Sequence, residues 1–159
     1  MSDAQPPADR TPSLDPLPQA VAEIDRLAEV ARRAPGDTEA MGALWDALYG
    51  LDRWLFIARG EAERPSPYTI VRPEGPMLLA FTTAERARTG GMGNGLGEEE
   101  TRRLLAVPLP GGIEWAASLE GHGVRGLIVD DGTLGAFAPL GNLVPMRDWF
   151  AQRRSTGGS

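Results

Sequence analysis

Three side chains carry groups that could do acid–base or metal chemistry: His122, Asp130 and Asp131. His122 is the only histidine, and an imidazole is the one side chain whose ordinary pKa lies near neutrality. The two aspartates follow Val-Arg-Gly-Leu-Ile-Val, a run that predicts a strand, and carboxylates at a strand end can assist a general base or bind a cation. An enzyme or small-ligand binder that uses His122 with Asp130 or Asp131 is therefore one hypothesis.

Each of these residues also has a simpler structural interpretation. His122 stands between two glycines at a predicted helix end, which is typical of a capping or surface residue. Asp131-Gly132 lies between two apolar runs, which is a standard signal for a hairpin turn. Two carboxylates without a further ligand at suitable spacing make a poor metal site. The sequence therefore assigns no catalytic, cofactor-binding or metal-ligating residue.

The residue types that are missing exclude several chemistries. The chain has no cysteine, and all sixteen of its Lys and Arg residues are arginine. Thiolate catalysis, cysteine-ligated zinc, a lysine Schiff base and a Walker-type phosphate lysine are excluded. A single histidine cannot supply a metal site built on several imidazoles. These absences favour a protein without enzymatic activity and without a cofactor.

A glycine-rich segment, residues 90–97, invites comparison with phosphate-binding loops. Its spacing does not match G-x-G-x-x-G, because the third glycine position is Leu96 or Glu98. The acidic run Glu98-Glu99-Glu100 that follows would repel a phosphate, and it fits better at the start of a short helix extending through Leu105. The segment predicts a flexible loop, and an anion or ligand cradle is the alternative. Met92, Asn94 and Leu96 are its candidate contacts with a partner.

Length and charge limit the class of protein. The chain has 159 residues, enough for one domain with a hydrophobic core, and its formal net charge is −6. That charge argues against a nucleic-acid partner. No stretch approaches the roughly 18 apolar residues of a membrane span, and the first residues lack the basic flank and apolar core of a signal peptide. We therefore expect a cytoplasmic protein that binds neither nucleic acid nor membrane.

The first part of the chain predicts a tail and two helices. Residues 1–16 are polar and proline-rich and predict a disordered tail. Residues 17–36 predict a helix whose face carries Val21, Ile24 and Leu27. Because this face is only weakly apolar, packing on a partner instead of on its own domain is an open alternative. A second helix begins at Asp37 or Thr38 and ends at Gly50.

Residues 37–154 predict a single α+β domain, and residues 155–159 predict a flexible tail. Pro76 to Ala87 is its centre: a buried strand, Met77–Phe81, leads into a helix capped by Thr82 or Thr83, and Thr82 would form a capping box with Glu85. All four tryptophans fall at predicted inward positions.

We expect a mixed, mostly antiparallel sheet of about five to six strands packed with helices. The other predicted strands are 53–58, 68–71, 106–109, 124–129 and 134–138, and the other helices begin near 112 and at 144.

These segments together resemble the N-terminal domain of the SseB family, the bacterial enhanced serine sensitivity proteins. The similarity spans about residues 38–149, and its most specific piece is Ala-Phe-Thr-Thr-Ala-Glu at residues 80–85. The chain departs from the family at Asp130-Asp131-Gly132, where members often have Asn-Pro-Gly. The resemblance implies a compact α/β domain without established catalytic residues, found alone or near secretion-system components in bacteria.

The sequence as a whole favours a non-enzymatic bacterial protein-binding or adaptor domain. Its candidate partner contacts are those on the first helix and in the glycine-rich segment, together with His122. A protein partner is expected, and a homodimer, a purely structural role and a chaperone-like role toward a basic client stay open. The alternative function is the small-ligand binder or enzyme built on His122 and the two aspartates.

Overall fold

Six α-helices and seven β-strands make up the part of the chain that the computed structural model describes, residues 14–157, with side chains to residue 155. In chain order they are α1 (Pro18–Arg33), α2 (Thr38–Tyr49), β1 (Arg53–Glu61), β2 (Arg64–Pro67), β3 (Thr69–Arg72), β4 (Gly75–Ala80), α3 (Ala84–Gly93), α4 (Glu98–Thr101), β5 (Leu104–Pro108), α5 (Gly112–Ser118), β6 (Gly126–Val129), β7 (Ala136–Pro139) and α6 (Leu143–Gly157). Short 3₁₀ turns cover Leu119–His122 and Leu140–Asn142. The predicted α+β single domain is confirmed at this level.

The strands form two sheets, where the sequence predicted one sheet of about five to six strands. The first has the order β2-β1-β5 and the second β3-β4-β6-β7. Only the β4–β6 pairing is parallel, so the mostly antiparallel character is confirmed. The sheets meet where Leu55 bridges Phe81 and where Tyr68 bonds to both β1 and β4. Residues 60–67, between two of the predicted strands, belong to the β1–β2 hairpin.

β1 and β4 are buried on both faces, which explains their continuous apolar sequences. Successive side chains of a strand point to opposite faces. Trp54 and Phe56 therefore join the larger hydrophobic cluster under the helices, while Leu55 and Ile57 join a smaller cluster on the other side. The residues of β4 divide in the same way. The predicted central strand is confirmed.

α1 packs on its own domain. Ile24, Ala28 and Ala31 recur at helical spacing and are buried, with Ile24 in the larger cluster beside α2. The alternative that this face is free for a partner is therefore wrong. Ahead of α1, the Asp15 carboxylate accepts the Ala84 N–H at 2.8 Å, so Leu14–Pro16 are part of the fold and not of the predicted tail. Residues 1–13 of that tail lie outside the described residues.

The glycine-rich segment is helical over its first half, so the prediction of a flexible loop is wrong there. α3 continues through Gly93, and two of its glycines face close neighbours. A Cβ on Gly90 would lie 2.5 Å from the Phe81 ring and 2.7 Å from the Asp131 carbonyl oxygen. A Cβ on Gly91 would lie 2.7 Å from Thr101. These glycines permit close packing of the helix against the core, at some cost in helix propensity.

Several local predictions also need correction at element ends. Thr83 caps α3 by accepting the Arg86 N–H at 3.0 Å, so the Thr82–Glu85 capping box does not form. The short helix after Gly97 ends at Thr101 and not at Leu105. α6 extends through Gly157, into the predicted flexible tail, of which residues 158 and 159 lie outside the description. The predicted strand at 106–109 is β5, an edge strand, where Pro108 is tolerated although it has no N–H.

Candidate functional site

Asp130 lies at the carboxyl end of β6, beside the carboxyl end of β4. Its side chain is fully buried, and its backbone has a φ of 59°, in the left-handed region. Its carboxylate accepts the Thr82 N–H and the Thr82 hydroxyl, both at 2.7 Å, and the Arg86 guanidinium at 3.0 Å. Burial raises the pKa of this carboxyl, and these donors oppose the rise. Asp130 therefore fastens the β4–α3 turn to the end of β6.

Asp131 and Asn94 belong to the same network of internal bonds. Arg72 donates to the Asp131 carboxylate at 3.0 Å, and the Asn94 amide donates to it at 2.8 Å. The same Asn94 amide also donates to the Gly90 carbonyl at 2.8 Å. These bonds hold the β3–β4 hairpin, the end of α3 and the Asp130-Asp131 turn together, so Asn94 serves the fold and does not present a free amide to a partner.

His122 is separated from both aspartates by the length of β6. It closes the 3₁₀ turn before the strand and is exposed, whereas Asp130 follows the strand's last residue. At about 3.3 Å per residue, the four steps from Gly126 to Asp130 alone cover about 13 Å. The structure thus brings Asp130 and Asp131 into one network and leaves His122 outside it.

The other candidate partner contacts do not form an open apolar face. Ile24 is buried, and Leu27 is half-buried against the larger cluster. Leu96 packs against the smaller cluster. Val21 is half-buried, and Met92, at 44% exposure, is the open member of the set. A partner surface built on these residues would therefore be discontinuous.

An open apolar groove lies instead between α2 and α6, with a volume of about 700 Å³. Trp149 of α6 is 50% exposed on one wall, and Met41 of α2 is 36% exposed on the other. Trp45, Met146 and Phe150 complete its apolar lining. The guanidinium of Arg153 lies 4.7 Å from the centre of the Trp149 ring, a cation–π distance. The predicted inward position of Trp149 is wrong.

Buried contacts fix the two walls of the groove relative to each other. Tyr49 of α2 donates to the Leu143 carbonyl at 2.8 Å, and its ring meets that of Phe150 edge-on at 5.5 Å. Burial raises the pKa of Tyr49, so its hydroxyl stays protonated and remains a donor. At the surface, Asp46 also pairs with Arg154. These contacts join the two helices, so the groove is part of the folded domain.

A second, smaller hollow continues the apolar surface past Met41. It has a volume of about 320 Å³ and lies between α1, the start of α2 and β7. Phe137 of β7 is 46% exposed at its far side. Because Met41 lines both hollows, the apolar surface runs from Trp149 to Phe137.

Neither the family models, nor the curated proteins, nor the solved structures that we compared with this chain match it. The resemblance to the SseB family therefore stays a prediction, together with the roles that it implies. None of the helices between residues 14 and 157 is both long enough and apolar enough to cross a bilayer. Over the same residues, no three acidic or histidine side chains gather as a metal ion would require.

Sequence reasoning missed the groove although it placed both walls correctly as helices. The spacing of Met146, Trp149 and Phe150 identifies an apolar stripe on α6, and such a stripe predicts burial. Sequence periodicity shows that a face is apolar, but it does not show which part of that face the rest of the chain covers. The signal available for an exposed binding surface was that the α6 stripe holds two large aromatic residues, one of them beside Arg153.

Proposed function

We propose that this protein is a non-enzymatic protein-binding or adaptor domain that holds its partner in the α2–α6 groove. The observation that carries the proposal is the half-exposed Trp149, which lines an apolar groove together with Met41. Tryptophan is enriched among the residues that dominate binding energy at interfaces, and methionine adapts to varied apolar surfaces. Contiguous exposed apolar surface of this kind marks interaction sites.

The chemistry of the groove favours binding over catalysis. Its charged groups are Asp37, Glu39 and Arg153, and Asp37 already caps α2 by accepting the Glu39 N–H at 3.0 Å. None of these side chain types changes charge near neutrality at its ordinary pKa. General acid–base catalysis needs a positioned group that does so, or one tuned to do so. The alternative function built on His122 with the two aspartates gains no support from their separation by β6.

The resemblance to the SseB family implies where in the cell such a binding domain would act. A relative of the SseB family would act in the bacterial cytoplasm, alone or near secretion-system components. The groove itself supports only the binding role, so the setting depends on the resemblance.

The proposal can be tested by photo-crosslinking in the organism that encodes the protein. Met41 would be replaced with p-benzoylphenylalanine, and the cells would be irradiated. We expect an adduct of higher mass that disappears after protease treatment, because the group at position 41 would lie against a bound protein. Adding Trp149→Ala to the same chain should reduce the adduct at least tenfold, since it removes an anchor of the groove.

Val71 provides the matched control, because it is 83% exposed on β3, outside the groove. The same replacement at Val71 should give little adduct. Equal adducts at both positions, or no protein adduct at Met41, would contradict the proposed function.

A further inference from the structure

We propose that the partner segment in the α2–α6 groove is an amphipathic helix of another protein, flanked by basic residues. The inference rests on the proposed function and specifies the chemistry of the partner. It follows from the spacing of the residues that line the groove, from one open glycine and from the charge at the rim.

The two walls present matched helical stripes. On α2 four of the five lining residues follow the spacing i, i+3, i+4, i+7, and the four lining residues of α6 follow the same spacing. This spacing forms the ridges that a neighbouring helix packs against, at interaxial distances of 8–10 Å. An amphipathic helix binds such a groove by placing its own apolar side chains at i, i+3, i+4 and i+7 into it. The stripe residues are Thr38, Met41, Gly42 and Trp45 on α2, and Met146, Trp149, Phe150 and Arg153 on α6.

Gly42 leaves room for close approach in the middle of the α2 stripe. A Cβ built on Gly42 meets no atom within 4 Å. The space beside Gly90 and Gly91 of α3 is instead occupied by neighbouring atoms. Small residues at a helix interface let two backbones approach closely. The described part of the chain leaves the space beside Gly42 open, so a partner helix could occupy it.

The charge at the rim favours a basic partner. Asp37 and Glu39 lie at the start of α2, while Arg153 covers the Trp149 ring. The whole chain carries a formal net charge of −6, so its field attracts a basic segment and raises its association rate. Lysine or arginine residues beside the apolar stripe of the partner helix would meet Asp37 and Glu39.

A second copy of this chain fits the groove less well. Two copies would each bring a net charge of −6. Among the described residues outside the groove, the large exposed apolar side chains on or directly beside helices are Leu17 at the start of α1, Val30 of α1 and Met92 of α3. Leu17 precedes the first residue of α1, and none of the three is three, four or seven residues from another. No described helix outside the groove therefore presents the apolar stripe that would fill it.

Peptide selection tests the proposed partner helix directly. A phage library of random 18-residue peptides would be panned on the full-length protein. We expect the enriched peptides to place apolar residues at i, i+3, i+4 and i+7, with Lys or Arg on their flanks. Synthetic versions should gain helical circular dichroism on binding and should bind more weakly as salt increases.

Gly42→Leu tests the site without breaking the fold, because its Cβ enters open space in a helix. We expect it to weaken binding of the selected peptides at least tenfold. Gly93→Leu is the matched control, since Gly93 is also helical and open, and it should leave binding unchanged. Denaturant unfolding of both variants verifies that each is folded.

Each other outcome overturns the inference. Enrichment of proline-rich peptides would replace the helix with an extended ligand, and equal binding to Gly42→Leu would place the helix elsewhere. Failure to enrich any peptide would also contradict it. A dimer in sedimentation that dissociates on Gly42→Leu would show that a second copy covers the groove. Photo-crosslinking at position 41 separates these failures from a failure of the proposed function, because a protein adduct can form whatever the partner's conformation.

Discussion

Asp130 combines full burial with a left-handed backbone, and both features depend on its short carboxylate. Asparagine and aspartate tolerate this backbone region better than other residues with a side chain. The carboxylate uses both oxygens to bind Thr82 and Arg86, and Arg86 also reaches Asp25 of α1 at 2.7 Å. The hydrogen bond to Asp25 raises the pKa of Arg86, with Asp130 contributing, so the guanidinium stays charged. The turn, the parallel strands and α1 are thereby linked through one aspartate.

We predict that Asp130→Ala lowers the free energy of unfolding by about 3–5 kcal/mol, because it leaves buried donors without an acceptor. Asp131→Ala should cost about 1 kcal/mol, since its ion pair with Arg72 is partly exposed. Urea denaturation at neutral pH measures both. Asp130→Gly relieves the backbone at φ 59° and should be less destabilising than Asp130→Ala by about 1–2 kcal/mol. Similar losses for Asp130→Ala and Asp131→Ala would contradict the assigned importance of the buried network.

At the scale of elements, identical residues have opposite roles in two helices. Gly42 of α2 and Gly90 of α3 both lie in helices, where glycine is unfavourable relative to alanine. The space around Gly42 is open, while Gly90 touches Phe81 and the Asp131 backbone. The packing of the core therefore requires glycine at position 90 but not at position 42.

We predict opposite effects of alanine at these two positions. Gly42→Ala should raise the free energy of unfolding by about 0.5–1 kcal/mol through helix propensity. Gly90→Ala should lower it by about 1–3 kcal/mol, because the new methyl group overlaps the Phe81 ring. Denaturant unfolding of the two variants beside the wild type measures the difference. A higher free energy of unfolding for both variants would show that α3 can move away from the core at little cost.

At the scale of the whole molecule, α1 is part of the core and not an appendage kept for a partner. Its inner face is buried, and the link from Asp25 through Arg86 to Asp130 connects its exposed side to the sheet. Asp15, ahead of the helix, caps α3 through the Ala84 N–H. We therefore expect α1 to unfold together with the rest of the domain.

We predict that Ile24→Ala lowers the free energy of unfolding by about 2–5 kcal/mol, because it leaves a cavity in the larger cluster. Val30→Ala is the control on the exposed side of the same helix and should change stability by less than about 0.5 kcal/mol. Hydrogen exchange should protect the inner amides of α1 as strongly as those of β4. Rapid exchange throughout α1, or equal losses for the two variants, would show that the helix detaches on its own.

The sequence by itself determined the secondary structure wherever the signals are local. The apolar runs of β1 and β4, the spacing of α1, the cap at Asp37 and the missing N–H of Pro108 act within a few residues, so they could be interpreted without the fold. The α+β class followed from the order of these elements.

Only the tertiary structure decided how those elements cover one another. The parallel pairing of β4 with β6 brings Thr82 beside Asp130, residues separated by 48 positions. The glycine-rich segment packs its helical half closely against Phe81 and Thr101, and the rest of the chain leaves Trp149 half-exposed in the groove that Gly42 also lines. The physical reason is the same in each case: periodicity records which face of an element is apolar, whereas distant parts of the chain determine which of those faces are covered.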